Sequence, residues 1–111
     1  MSRRDPRKSR PESIGGLLPA AARALGLEEE LRRGRRATAF RELLVALAPH
    51  LAPDCALVSV EHGQMIVEAS TPAAAQELHL RGREIAIAFA TWPGGERTFG
   101  ITARLGPARR P

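Results

Sequence analysis

The sequence predicts an α+β domain in which a three-stranded sheet is covered by helices, with elements in the order ααββαβ. Three observations carry that prediction. Between Gly63 and Leu78 the hydrophobic period changes from that of a strand to that of a helix, the pair His62-Gly63 links two alternating stretches, and Pro93-Gly94-Gly95 separates the last helix from the last strand.

The first helix is expected from Ser13 to about Leu25, with Leu17, Leu18, Ala21, Ala24 and Leu25 as its apolar stripe. A second is expected from about Leu27 to Ala48, broken or bent at Gly34, with Phe40, Leu44, Leu47 and Leu51 facing the core. In the first strand Ala56, Val58 and Val60 alternate against Leu57, Ser59 and Glu61. A two-residue turn at His62-Gly63 pairs Glu61 with Gln64, which sets Val60 opposite Met65, Val58 opposite Val67 and Ala56 opposite Ala69. Leu57, Ser59, Ile66 and Glu68 then form the other face, and Leu57 and Ile66 are its candidate partner-binding residues.

The second strand must end at Thr71, whose hydroxyl suits an N-cap, with Pro72 at the first helical position where a missing N–H costs nothing. From there Leu78, Gly82, Ile85, Phe89 and Trp92 recur at steps of four, three, four and three, one helix reaching about Thr91. Gly82 in its middle costs about 1 kcal/mol relative to alanine, which implies a close approach to the sheet. In the last strand Phe99, Ile101, Ala103 and Leu105 alternate with Thr98, Gly100, Thr102 and Arg104.

A chain of 111 residues suits one domain. The reading divides it into a disordered basic arm over 1–12, a folded domain over 13–106 and a short flexible end over 107–111. No apolar run approaches the roughly 20 residues of a membrane span, and no hydrophobic segment follows the basic start as a secretory signal requires. A cytoplasmic protein is expected, with nucleoid association compatible. The single cysteine, Cys55, excludes an internal disulfide and reads as a buried small hydrophobe. His50, His62 and His79 follow no zinc-binding spacing.

Charge is informative by position. Residues 1–36 hold ten basic and five acidic side chains, whereas residues 37–111 hold seven of each, so the whole excess of +5 lies in the first third. Arg3, Arg4, Arg7, Lys8 and Arg10 crowd the arm, and Arg32, Arg33, Arg35 and Arg36 form a second cluster. Arginine-favouring codon usage is one account, because Lys8 is the only lysine. Phosphate binding is the other, and it explains the confinement to an arm and one helical segment. These nine cations are the candidate nucleic-acid contacts. With about six phosphates neutralised on a single strand, log K would fall with log salt at a slope of about −4.

Catalytic patterns are lacking. Ser59, Ser70, Thr71, Thr98 and Thr102 stand in no triad or elbow signature, and Gly15-Gly16 and Gly94-Gly95 lack the lysine or strand context of a nucleotide loop. Glu42, Glu77 and Glu84 lie near basic residues on helices and read as solvated ion pairs. No enzyme, cofactor, metal or small-molecule substrate is expected.

The element order, together with Gly63, Met65, Val67, Ala69, Thr71, Ala73, Ala75, Glu77 and Leu78 in matching spacing, resembles the DciA-like family of bacterial proteins, antecedents of the DnaC and DnaI loaders of the replicative DNA helicase. Leu47, Pro49, Leu51 and Ala52 look like the end of that family's second helix. Departures are Leu43 in place of a frequent tryptophan, Ala48 in place of a glycine and Ala74 in place of an aromatic. The resemblance implies a small KH-like domain that contacts the replicative helicase and binds single-stranded DNA to assist helicase loading. This chain has no GxxG loop of the kind by which many KH domains clamp nucleic acid, so binding would fall to the arginines. Alternatives are a KH-like RNA-binding protein and a protein interaction module that does not bind nucleic acid.

Overall fold

The computed structural model describes residues 12–107. Positions 1–11 and 108–111 lie outside it, and with them the expected basic arm and most of the expected flexible end. The chain falls into two units, Met1–Arg32 and Arg33–Pro111.

Helix α1 spans Glu12–Leu47. It takes in both of the first two expected helices, a correction to the ααββαβ order. Gly26 and Gly34 have nothing near the place a Cβ would occupy, and neither interrupts the helix. Each costs about 1 kcal/mol, a penalty that surrounding leucine, glutamate and arginine, all good helix formers, can carry. In Met1–Arg32 the side chains described, from Ala20 on, are all exposed, including Leu25, Leu27 and Leu31; those of Leu17 and Leu18 are outside the described set.

The second unit is built on a three-stranded sheet, β1 (Cys55–Glu61), β2 (Gln64–Ala69) and β3 (Gly100–Leu105), in spatial order β1-β2-β3. β1 and β2 are antiparallel, and β2 and β3 are parallel. A parallel neighbour requires a crossover, which α2 (Pro72–Leu80) and α3 (Gly82–Thr91) supply. The result is an α+β fold with a mixed sheet. Thr71 caps α2 as expected, its hydroxyl accepting from the Ala74 amide at 3.0 Å, with Pro72 at the first helical position.

The core lies between the sheet and the helices. Cys55, Leu57, Met65, Val67 and Ala69 meet Phe40, Leu43, Leu44 and Ala48 of α1, Leu78 of α2, and Ile85 and Phe89 of α3. Phe40 and Phe89 pack edge to face, with ring centroids 6.3 Å apart.

Three further expectations are corrected. The register holds beside the turn, with Val60 opposite Met65 and Glu61 opposite Gln64, but an irregularity between Leu57 and Ser59 places Leu57 opposite Val67 and Cys55 opposite Ala69. The extra residue, Val58, reverses the facing of the rest of β1. Leu57 therefore joins the core and leaves the outer face, where Ile66 remains half-buried.

The single helix expected after Thr71 is two, parted at Arg81. Its inward stripe survives, with Leu78, Gly82, Ile85 and Phe89 all buried. Gly82 does approach β3, but a Cβ there would stand 3.6 Å from Ile101, ordinary packing that alanine would also allow. Finally, Phe99, expected to open the last strand, lies one residue before β3 and is exposed.

Candidate nucleic-acid interface

The expected cations divide into three sets. Arg3, Arg4, Arg7, Lys8 and Arg10 lie outside the described residues. Arg32, in the first unit, is paired with Glu29 at 2.7 Å, an exposed i,i+3 contact of small energetic worth. In the second unit Arg33 and Arg35 are exposed and form no ion pair among the described residues. Two apart on a helix, they point to different sides, so the run of arginines is not one patch.

Arg36 is held in an ion pair. Its side chain is only 12% exposed and donates from Nη1 to Glu96 at 3.1 Å, while Nε is buried without a partner. This pair ties the segment after α3 to α1. Gly94 belongs to the same joint: its φ is +85°, and a Cβ there would press on Ala39 at 3.3 Å and on the Arg35 carbonyl at 3.4 Å. Arg36 is thus a clamp, with its charge already matched.

The two arginine clusters leave out four exposed cations, Arg23, Arg41, Arg83 and Arg97, which make no ion pair or hydrogen bond among the described residues. None sits in a run of adjacent arginines, so no such run marks them.

A polar network occupies the end of α1 and the junction of α2 and α3. Arg81 donates from Nε and Nη2 to the two Glu84 oxygens at 3.1 Å, from Nη1 to Glu77 at 3.5 Å, and from Nη2 to the Leu47 carbonyl at 3.4 Å. Glu77 also accepts from His50 Nε2 at 2.6 Å. The His50 hydrogen bond, seconded by Arg81, holds the Glu77 carboxyl below the usual range, and Arg81 does the same for Glu84. Every member has a structural partner, so the network serves to fix the helix junction.

Cys55 is buried, and desolvation, aided by the nearby Asp54 and Glu77 charges, pushes its thiol up to about 11. The neutral thiol is a poor nucleophile. In the folded protein at pH 8 it should react with a thiol reagent far more slowly than in the urea-unfolded chain. Equal rates measured by absorbance would show that the site is open. Among the described residues no group of three or more His, Cys, Asp or Glu could hold a metal ion. No described helix is long and apolar enough to cross a membrane.

The hairpin end of the sheet has a different character. His62 and Gly63 both adopt positive φ, +53° and +77°, as a two-residue turn matching the strand twist demands. Phe99 lies against this turn, its amide donating to the Gly63 carbonyl at 2.7 Å.

These features define a small α+β domain whose surface carries arginines with no ion pair among the described residues. A family model described as "Dna[CI] antecedent, DciA" matches residues 13–91, and the chain belongs to that family. No curated protein and no solved structure matches it. Membership implies involvement in loading of the replicative helicase, in a family of generally non-catalytic accessory proteins.

Proposed function

We propose that the protein binds the replicative DNA helicase through its α+β domain and holds single-stranded DNA on its arginines while the helicase is loaded. The family match carries the helicase half of this reading. Arg33, Arg35, Arg41, Arg83 and Arg97, exposed and without an ion pair among the described residues, support the DNA half, together with the basic composition of residues 1–12. An antiparallel hairpin followed by a helical crossover to a parallel strand is compatible with a KH-like domain. Its α2–α3 junction is the single residue Arg81, with no room for a clamping loop, so phosphate contact falls to side chains.

The domain would extend over 13–106, with 1–12 as a basic tether and 107–111 as a short end. Ten extended residues reach about 30 Å, enough to meet a strand beside a docking site. On this reading the protein works in the cytoplasm, and Ile66 on the outer sheet face is a candidate helicase contact. With no nucleotide-loop signature in its sequence, it acts by binding one helicase state better than another.

Fluorescence anisotropy with labelled single-stranded DNA should give a log–log salt slope of about −4, falling toward zero as Arg3, Arg4, Arg7, Lys8 and Arg10, then Arg33 and Arg35, are changed to glutamine. A flat salt response, or tighter binding to structured RNA, would overturn the DNA half. Failure to retain purified replicative helicase on the immobilised protein would overturn the other.

A further inference from the structure

Phe99 departs from the rule that governs the other aromatic side chains. Phe40 and Phe89 are buried and Trp92 packs against the core, whereas Phe99 is 78% exposed. It is nonetheless anchored. Besides the amide bond to Gly63, the ring lies so near that glycine that a Cβ there would come within 2.5 Å of Cδ2 and 2.6 Å of Cε2. Backbone supports the ring from one side, and the rest of it meets solvent.

Its surroundings are polar and cationic. Arg97 and Phe99, two positions apart, are both exposed, and the Thr98 between them is buried. Arg97 is unpaired among the described residues, and His62, beside Gly63, is exposed. Gln64, opposite Gly100 in the ladder, accepts a hydrogen bond from Thr102 at 3.4 Å. An exposed flat aromatic anchored on the hairpin turn, with an exposed arginine two residues before it, suits a nucleobase, whose face stacks while its phosphate meets a cation.

We infer that Phe99 is a stacking platform for one unpaired base of a single strand, with Arg97 holding an adjacent phosphate. The inference rests on the nucleic-acid reading above and adds a contact that the arginines cannot make. Electrostatic grip responds to the phosphates alone, whereas stacking responds to the presence of a base. Because every base has a π-face, the contact is tolerant of sequence.

The test compares Phe99→Ala with wild type on a fluorescent single-stranded oligonucleotide and on an abasic strand of the same length and charge. Phe99→Ala should weaken binding to the base-bearing strand about fivefold, the lower end of the loss expected for one stacked base, and leave binding to the abasic strand unchanged. The salt slope should not move, and Phe99→Trp should retain wild-type affinity. Unchanged circular dichroism and unfolding midpoint in Phe99→Ala would establish that the fold is intact. Three results overturn the inference while leaving the proposed function standing: equal binding by wild type and Phe99→Ala, equal losses on both strands, or loss of helicase retention with DNA binding kept. If wild type binds neither strand in dilute salt, the DNA half of the proposed function falls with it.

Discussion

Replacing Phe89 by alanine should lower the free energy of unfolding by about 3–5 kcal/mol, seen as an earlier urea midpoint with little change in slope. Phe89 has no exposed surface, lies on the inward stripe of α3, and meets the edge of Phe40 from α1 at 75°. Truncation removes the apolar transfer energy, opens a cavity between two helices, and deletes an aromatic pair worth about 0.5–1.5 kcal/mol on its own. For a domain whose whole stability is of the order of 5–15 kcal/mol, such a loss is severe. Phe89→Leu keeps much of the volume and should cost clearly less. Equal midpoints for Phe89→Ala and wild type would mean that α1 and α3 do not share a core at this point.

The second large effect concerns the Arg36–Glu96 pair, where opposite outcomes are expected from its two ends. Glu96→Ala leaves a guanidinium that is 12% exposed without its counter-charge. Removing one partner of a fully buried pair costs about 3–5 kcal/mol; Glu96 itself is 39% exposed, so about 1–2 kcal/mol is expected here. Arg36→Met instead removes the charge together with the unpartnered Nε, and a well-packed apolar replacement should be neutral or slightly stabilising. Paired urea titrations of the two variants check this. Affinity for single-stranded DNA should be unaltered in Arg36→Met, which separates this arginine from Arg33 and Arg35; a loss comparable to theirs would return it to the DNA-binding set.

What the sequence disclosed follows the range of the interactions concerned. The Thr71-Pro72 start of α2 and the pairing of Val60 with Met65 and Glu61 with Gln64 depend on neighbours within a few residues, and both were legible. The facing of Leu57 was not, since Val58 at the irregularity is as apolar as the residues around it and carries no local mark. The parting of α2 and α3 escaped notice for another reason. Arg81 looks like any helical arginine, and one of its partners, the Leu47 carbonyl, is 34 residues away.

The candidate site was harder to read, because a cation's availability is decided by its partners. Arg36 resembles Arg33 and Arg35 in sequence, yet Glu96, 60 positions later, removes it from solvent. Phe99 continues the alternation of Ile101 and Ala103, and its contacts with Gly63, 36 positions earlier, place the ring at the hairpin end instead of within the core.

The parallel pairing of β2 with β3 has a consequence for biosynthesis. The β1–β2 hairpin closes over two residues, but the strand on the other flank of β2 is encoded some thirty positions later, after both crossover helices. A nascent chain emerging from the ribosome therefore holds β2 with one edge unsatisfied, together with part of its apolar face, until Leu105 has cleared the exit tunnel. Completion of the sheet is the late step of maturation, and that interval is when the young polypeptide most needs shielding from its neighbours.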